Sequence, residues 1–183
     1  MPRSAPLRRL LVALLLSCTV AAGTTACGGD DGTRAADSSA SPSPTTSAQK
    51  QKFAKTRFVA NAGLAAGATY QWIVKPYRAG KFKKGADGRT LTMVKAGAAG
   101  AFAYNRLKAA VNNAKGDPLL SKAVAPLTAG IDSLKDLATK MGKGEAGAGE
   151  VGAFEGVINS IKDAGKSAGA EVKNKVPSAS QLG

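Results

Sequence analysis

The chain has 183 residues and is strongly basic, with 26 Lys or Arg against 12 Asp or Glu and a formal net charge of +14 at pH 7. It has no His, which removes the commonest general base and nitrogen metal ligand. The two cysteines are Cys18 and Cys27, so a domain built from the remainder has no thiol nucleophile, disulfide or thiolate metal site. Enzymatic activity, a cofactor and a bound metal are therefore not expected.

Arg3, Arg8 and Arg9 precede an apolar run from Leu10 to Ala22, followed by the small and polar Gly23, Thr24, Thr25 and Ala26. Basic, then apolar, then small is the order of a secretory signal. The apolar run falls well short of the roughly 20 residues a spanning helix needs. Arg8-Arg9 is a poor twin-arginine export motif, because Leu7 precedes it. The segment resembles bacterial lipoprotein signals, in which a Cys after small residues becomes the acylated first residue of the mature protein. Two positions compete. Leu15-Leu16-Ser17-Cys18 has the branched apolar residue expected three before the Cys, but few apolar residues ahead of it. Thr24-Thr25-Ala26-Cys27 departs from the pattern at Thr24, yet follows a full-length apolar run and precedes Gly28-Gly29-Asp30-Asp31. Cys27 is the favoured lipidation site and Cys18 the alternative. The resemblance implies a lipid-anchored protein on the extracytoplasmic face of the cell membrane, with residues 1–26 removed, and says nothing of the domain.

Gly28 to Gln49 is rich in Ser, Thr, Ala, Gly and Pro and nearly free of large apolar groups. Such a segment buries too little to offset its ordering entropy, so residues 27–49 read as the lipidated Cys and a tether. Its reach is on the order of 25 Å. Ser47 and Lys50 have the spacing of a serine acyl-enzyme motif, but a tether offers no scaffold to hold a nucleophile.

From Lys50 to Lys175, Ala, Leu, Lys and Gly dominate without β-branched alternation, which predicts an all-α fold, a small bundle of about four helices. The first helix is expected over Lys50 to Lys75, stopping at Pro76 because proline lacks the donor and crowds the preceding turn. Gly63 and Gly67 have GxxxG spacing amid alanines, either a core face that lets a neighbour approach closely or a face for a partner helix. The second helix follows Gly88-Arg89, with Thr90 as N-cap, and ends near Lys115-Gly116. Met93, Gly97, Gly100, Tyr104, Leu107 and Val111 share one face of it, again mostly small.

Asp117-Pro118 opens the third helix as cap and first residue. Leu120, Val124, Leu127, Ile131, Leu134, Ala138 and Met141 follow a four-three alternation, which Pro126 must kink or split. Asp132, Asp136 and Lys140 fall on the solvated side. The fourth helix is expected over Gly149 to Asn174, with Val151, Phe154, Ile158, Ile161, Gly165, Ala168 and Val172 as its apolar heptad. Pro177 closes it, leaving 176–183 as a frayed tail. Gly165-Lys166-Ser167 imitates the end of a phosphate-binding loop, but Ser160 stands where the first Gly is required. Glu145, Glu150 and Glu155 sit where a helix start favours carboxylates in any case.

The charge is uneven. Lys50 to Lys115 holds fourteen basic residues against Asp87 alone, a net of +13, whereas Gly116 to Gly183 is neutral, with eight of each sign. The densest part runs from Lys75 to Lys84, where Lys75, Arg78, Lys81, Lys83 and Lys84 surround Tyr77 and Phe82. These five cations form the candidate anion-binding site, with Tyr77 and Phe82 expected at the surface. On an exported, tethered protein the anions at hand are lipid headgroups and phosphate-rich wall polymer, and each cation near an anionic surface contributes about 1 kcal/mol. Nucleic acid presents the same phosphate chemistry but is a poor match to the expected location. The competing expectation is an adaptor that binds a protein partner, or itself, through Gly63, Gly67, Gly97 and Gly100.

Overall fold

A computed structural model describes residues 47–182. The expected signal, Cys18, Cys27 and the tether up to Thr46 lie outside the described residues. Among the described residues all regular structure is helical, and the protein is an all-α bundle. Helix α1 spans Ser47–Thr69 and is followed by a π-helical turn, Tyr70–Val74, and a short α2, Lys75–Arg78. Helix α3 spans Arg89–Ala114, α4 Pro118–Val124, α5 Thr128–Gly142 and α6 Ala148–Ser167. Single 3₁₀ turns occupy Ala125–Leu127 and Ala179–Gln181.

Helix α1 begins three residues before the predicted Lys50, so Ser47 and Lys50 share its first turn and do not belong to the tether. It also fails to stop at Pro76. Thr69, Val74 and Lys75 keep right-handed helical dihedrals, so one continuous helix runs from Ser47 to Arg78. The π-turn explains this. Lys75 N donates to Tyr70 O, five residues back, and the widened turn sits immediately before the proline ring. The helix ends two residues after Pro76, at a left-handed Gly80 (φ 71°). Lys81 N donates to Pro76 O (3.0 Å) and Gly80 N to Tyr77 O (2.9 Å), the paired bonds of a Schellman cap.

Helix α3 starts at Arg89 with Gly88 as its N-cap, and Thr90 lies inside the first turn, not at the cap as predicted. The left-handed Gly88 (φ 67°) turns the chain two residues early. Asp117 caps α4 as expected. Its buried carboxylate accepts from Leu120 N at 2.9 Å and lies 3.7 Å from Lys55 Nζ. Pro126 splits the third segment as expected, its 3₁₀ turn separating α4 from α5. Asp132 pairs with Lys108 of α3 at 2.9 Å, a hydrogen bond that raises the Lys108 pKa.

The fourth helix is shorter than predicted. It ends at Ser167, where Gly169 is left-handed (φ 68°) and Ala170 N donates to Gly165 O at 2.7 Å. From Ala170 to Val176 the chain is an extended strap laid along α1, with Lys175 N donating to Gly63 O at 2.8 Å. Its alternate residues Ala170 and Val172 are buried. The tail beyond is not frayed: Pro177 is buried, Ser178 and Gln181 close a small turn, and Leu182 packs against the core.

The fully buried large side chains include Phe58 and Ile73 of the first helix, Leu107 of α3, Ile131, Leu134 and Met141 of α5, and Phe154 and Ile161 of α6. Alanines of α1 and α3 fill the spaces between them, so these two helices pack closely and extensively, as do α3 and α5. Among the described residues every buried apolar residue lies between Ala54 and Pro177, with Leu182 packed against this core, so a chain beginning in the tether keeps all of these.

Candidate functional site: a basic end of the bundle

The four small-face glycines are covered by the chain itself. A Cβ on Gly63 would lie 2.6 Å from Lys173 O, and on Gly67 only 1.9 Å from Lys175 O, so this face is occupied by the C-terminal strap, not by a partner helix. A Cβ on Gly97 would lie 2.6 Å from Gly142 Cα, and on Gly100 2.9 Å from Ala138 Cβ and 3.0 Å from Phe154. These two let α5 press on α3. The GxxxG spacing thus serves close approach within the domain, and the two small faces do not meet one another.

The predicted cations come together at one end of the bundle. Lys75 and Arg78 stand on α2, and Lys81, Lys83 and Lys84 on the connection to α3; all five are exposed. The connection is a chain of tight turns: Lys83 N donates to Gly80 O, Ala86 N to Lys83 O and Arg89 N to Ala86 O, each at 3.1 Å. Arg89 latches it from below. Its Nε donates to Phe82 O at 3.0 Å and its Nη2 to Gly144 O at 2.7 Å, tying the basic segment to the α5–α6 connection. The cations are therefore carried on a braced loop.

Two of the expected surface groups are elsewhere. Phe82 is only 6% exposed and meets the half-buried Tyr77 edge to face, with ring centroids 5.8 Å apart. The pair belongs to the core and anchors the loop inward, because a ring of this size five residues beyond Tyr77 can reach back across the Schellman turn. Arg78 differs from its neighbours by forming an ion pair with Glu155 of α6 at 2.6 Å. Lys75, Lys81, Lys83 and Lys84 make no ion pair with a described carboxylate.

Two depressions flank the cations. One, of about 540 Å³, lies between the Arg78–Lys83 stretch and Gly147 at the start of α6. The other, of about 420 Å³, lies beside the π-turn, with Trp72, Pro76 and Leu91 supplying apolar wall and Lys75, Lys81, Lys95 and the acidic Asp87 the charge. Lys95 Nζ sits 5.9 Å from the centre of the Trp72 ring, within cation–π reach. Sequence reading missed Lys95 and Leu91, which stand four residues apart on α3 on the side away from its apolar face. No protein-family model, curated protein or solved structure matches this chain. Its function must be read from the arrangement itself. Near Gly147, Glu150 accepts from the Gly147 amide at 2.9 Å, which lowers its pKa.

What this end can do chemically is bind anions. It offers four exposed lysines without carboxylate partners, a fifth over an aromatic ring, and Asp87 as the nearby acid along the loop. The depressions are shallow and open, suiting an extended polymer more than an enclosed small molecule. Among the described residues no three acidic, cysteine or histidine side chains converge as metal ligands.

Proposed function

We propose that this protein is a non-enzymatic, lipid-anchored cell-envelope protein that binds an anionic envelope polymer through the basic end formed by Lys75, Arg78, Lys81, Lys83 and Lys84, with Lys95 as a sixth contributor. The observation that carries this reading is the set of exposed lysines held without carboxylate partners on a loop braced by Arg89. Scattered solubilising charge needs no such brace.

The fold also favours one class of anion. The continuous helix from Ser47 to Arg78 is about 48 Å long at 1.5 Å per residue, and the tether joins its first residue. An anchor upstream of Ser47 would join the end of this helix remote from the basic end, which supports a wall polymer as the partner. Headgroups of the same membrane are the less accessible partner for this end.

The test is binding of the chain from Gly28 onward to polyphosphate and to purified wall polymer, at low and near-physiological salt. Reversing three charges (Lys81→Glu, Lys83→Glu, Lys84→Glu) should weaken binding on the order of a hundredfold, at about 1 kcal/mol per cation removed. Salt should weaken the wild type in the same direction by screening. Unchanged affinity in the triple variant would remove this site.

A further inference from the structure

The opposite end of the bundle is a second cationic surface, and it has a different composition. Helix α1 begins there with Lys50, Lys52, Lys55 and Arg57. The α3–α4 connection folds onto this first stretch: a Cβ on Gly116 would touch Ala54 Cβ at 2.9 Å and lie 3.9 Å from Lys50 O, and Asp117 faces Lys55. That brings Lys115 and, on α4, Lys122 to the same end, both exposed. The end of α6 arrives too, with Gly169 beside Lys55 Nζ.

Two large apolar side chains are left uncovered among these cations. Phe53 is 52% exposed and Leu119 64%. Phe53 shares a helix stripe with Lys50 and Arg57, at spacings of three and four. Asp117, set between α1 and α4 here, is buried and committed to capping α4 and to Lys55, and the exposed Glu171, two residues past Gly169, is a further acid close to this end. An aromatic and an aliphatic group exposed at an end that also carries Lys50, Lys52, Lys115 and Lys122 is the composition of surfaces that lie on anionic bilayers, where the rings enter the headgroup boundary and the ammonium groups meet lipid phosphate. Leu91 and Val94 are exposed as well, but they stand on the first turns of α3, at the polymer-binding end.

We propose that the end of the bundle formed by Phe53, Leu119, Lys50, Lys52, Lys115 and Lys122 docks on an anionic lipid surface. The occupant is fixed by charge complementarity and by where the chain runs: the segment that precedes Ser47 leaves from this end, so any membrane attachment upstream brings this surface to the bilayer first. Docking here orients the domain with its other basic end outward. The inference rests on the membrane attachment in the proposed function but not on its polymer site, since it uses different residues and a different ligand.

The protein carries its own reporter. Its single tryptophan, Trp72, lies about 28 Å along the helix axis from Phe53 at 1.5 Å per residue. The chain from Gly28 onward, which lacks the apolar Leu10–Ala22 run, is mixed with phosphatidylcholine vesicles with and without phosphatidylglycerol, some carrying brominated acyl chains. Expected are binding that requires phosphatidylglycerol, weakens with salt and leaves Trp72 unquenched. The double variant Phe53→Ser, Leu119→Ser should lose vesicle affinity about tenfold, the worth of one exposed ring and one aliphatic group partly inserted, while keeping polyphosphate binding. Both positions are exposed, so the variant should match the wild type in helicity and melting. Absence of binding, vesicle affinity unchanged in the double variant, or quenching of Trp72 by brominated lipid would each overturn the proposal. The triple charge reversal at Lys81, Lys83 and Lys84 separates the two ends: it should lower polyphosphate binding and spare the vesicles.

Discussion

Alanine in place of Gly67 should weaken the fold, the reverse of its effect in an ordinary helix. In a helix interior Gly→Ala gains about 1 kcal/mol. Here the new Cβ would stand 1.9 Å from Lys175 O and 2.2 Å from Lys175 C, whereas ordinary contact begins at 3.4 Å. The obstacle is backbone, so no rotamer relieves it, and the strap must retreat by about 1.5 Å. That retreat breaks the 2.8 Å bond from Lys175 N to Gly63 O, worth about 1 kcal/mol. It also lifts Val172 and Pro177 out of the packing, for roughly another 2–3 kcal/mol. Less the helix-propensity gain, the net loss is about 2–3 kcal/mol, on the order of 10 °C in Tm for a domain of this size. Urea and thermal denaturation measure it, and hydrogen exchange at Lys175 shows whether the strap has lifted. Gly152 and Gly156 of α6 are the controls: a Cβ at either meets nothing within 4 Å, so alanine there should stabilise by about 0.5–1 kcal/mol. A Gly67→Ala protein as stable as the wild type, or more so, would refute the docked strap.

The brace beneath the basic loop is tested at Arg89: Arg89→Ala should cost about 2–3 kcal/mol through two lost charge-assisted bonds and should speed hydrogen exchange from Lys83 to Arg89. Arg89→Lys should recover little, because an ammonium lacks the planar fork that reaches Phe82 O and Gly144 O together. At the start of α6, Glu150 is held below the usual carboxylate range by the Gly147 amide. A carboxyl with a depressed folded pKa contributes stability above its unfolded pKa and loses it as pH falls through the folded value. Glu150→Ala should therefore cost about 0.3–1 kcal/mol at pH 7, and its difference from the wild type should shrink in melts below about pH 4.

Much of the fold was legible because its determinants are local. Asp117-Pro118 states a helix start in two residues, Pro126 breaks the third segment where its ring demands, and the four-three spacing of Leu120 to Met141 marks a face that is buried. The misreadings came where two local rules compete. Val172 lies seven residues after Gly165 and so continues the heptad, but Ala168, Ala170 and Val172 also alternate; the left-handed Gly169 decides for the extended form. Pro76 forbids a regular α-turn before it, and a π-turn is the exception that nothing in YQWIV announces. At the basic end the charges were visible and their support was not. Which of Tyr77, Phe82 and Arg89 faces inward depends on the α5–α6 connection, more than fifty residues away. The small-residue spacing was visible too, but spacing does not say whether a helix or an extended strand fills it.

The strap has a consequence for the order in which the domain can be made. Gly63 and Gly67 belong to the first described helix, and the residues that cover them come more than a hundred positions later in the chain. Until Lys173 to Pro177 have emerged, one face of the first helix has nothing to close on, and the long loop between the two must be drawn shut after the helices have formed. Folding is thus completed by the strap, and a chain stopped before Lys173 would keep its helix caps while lacking the piece that seals them.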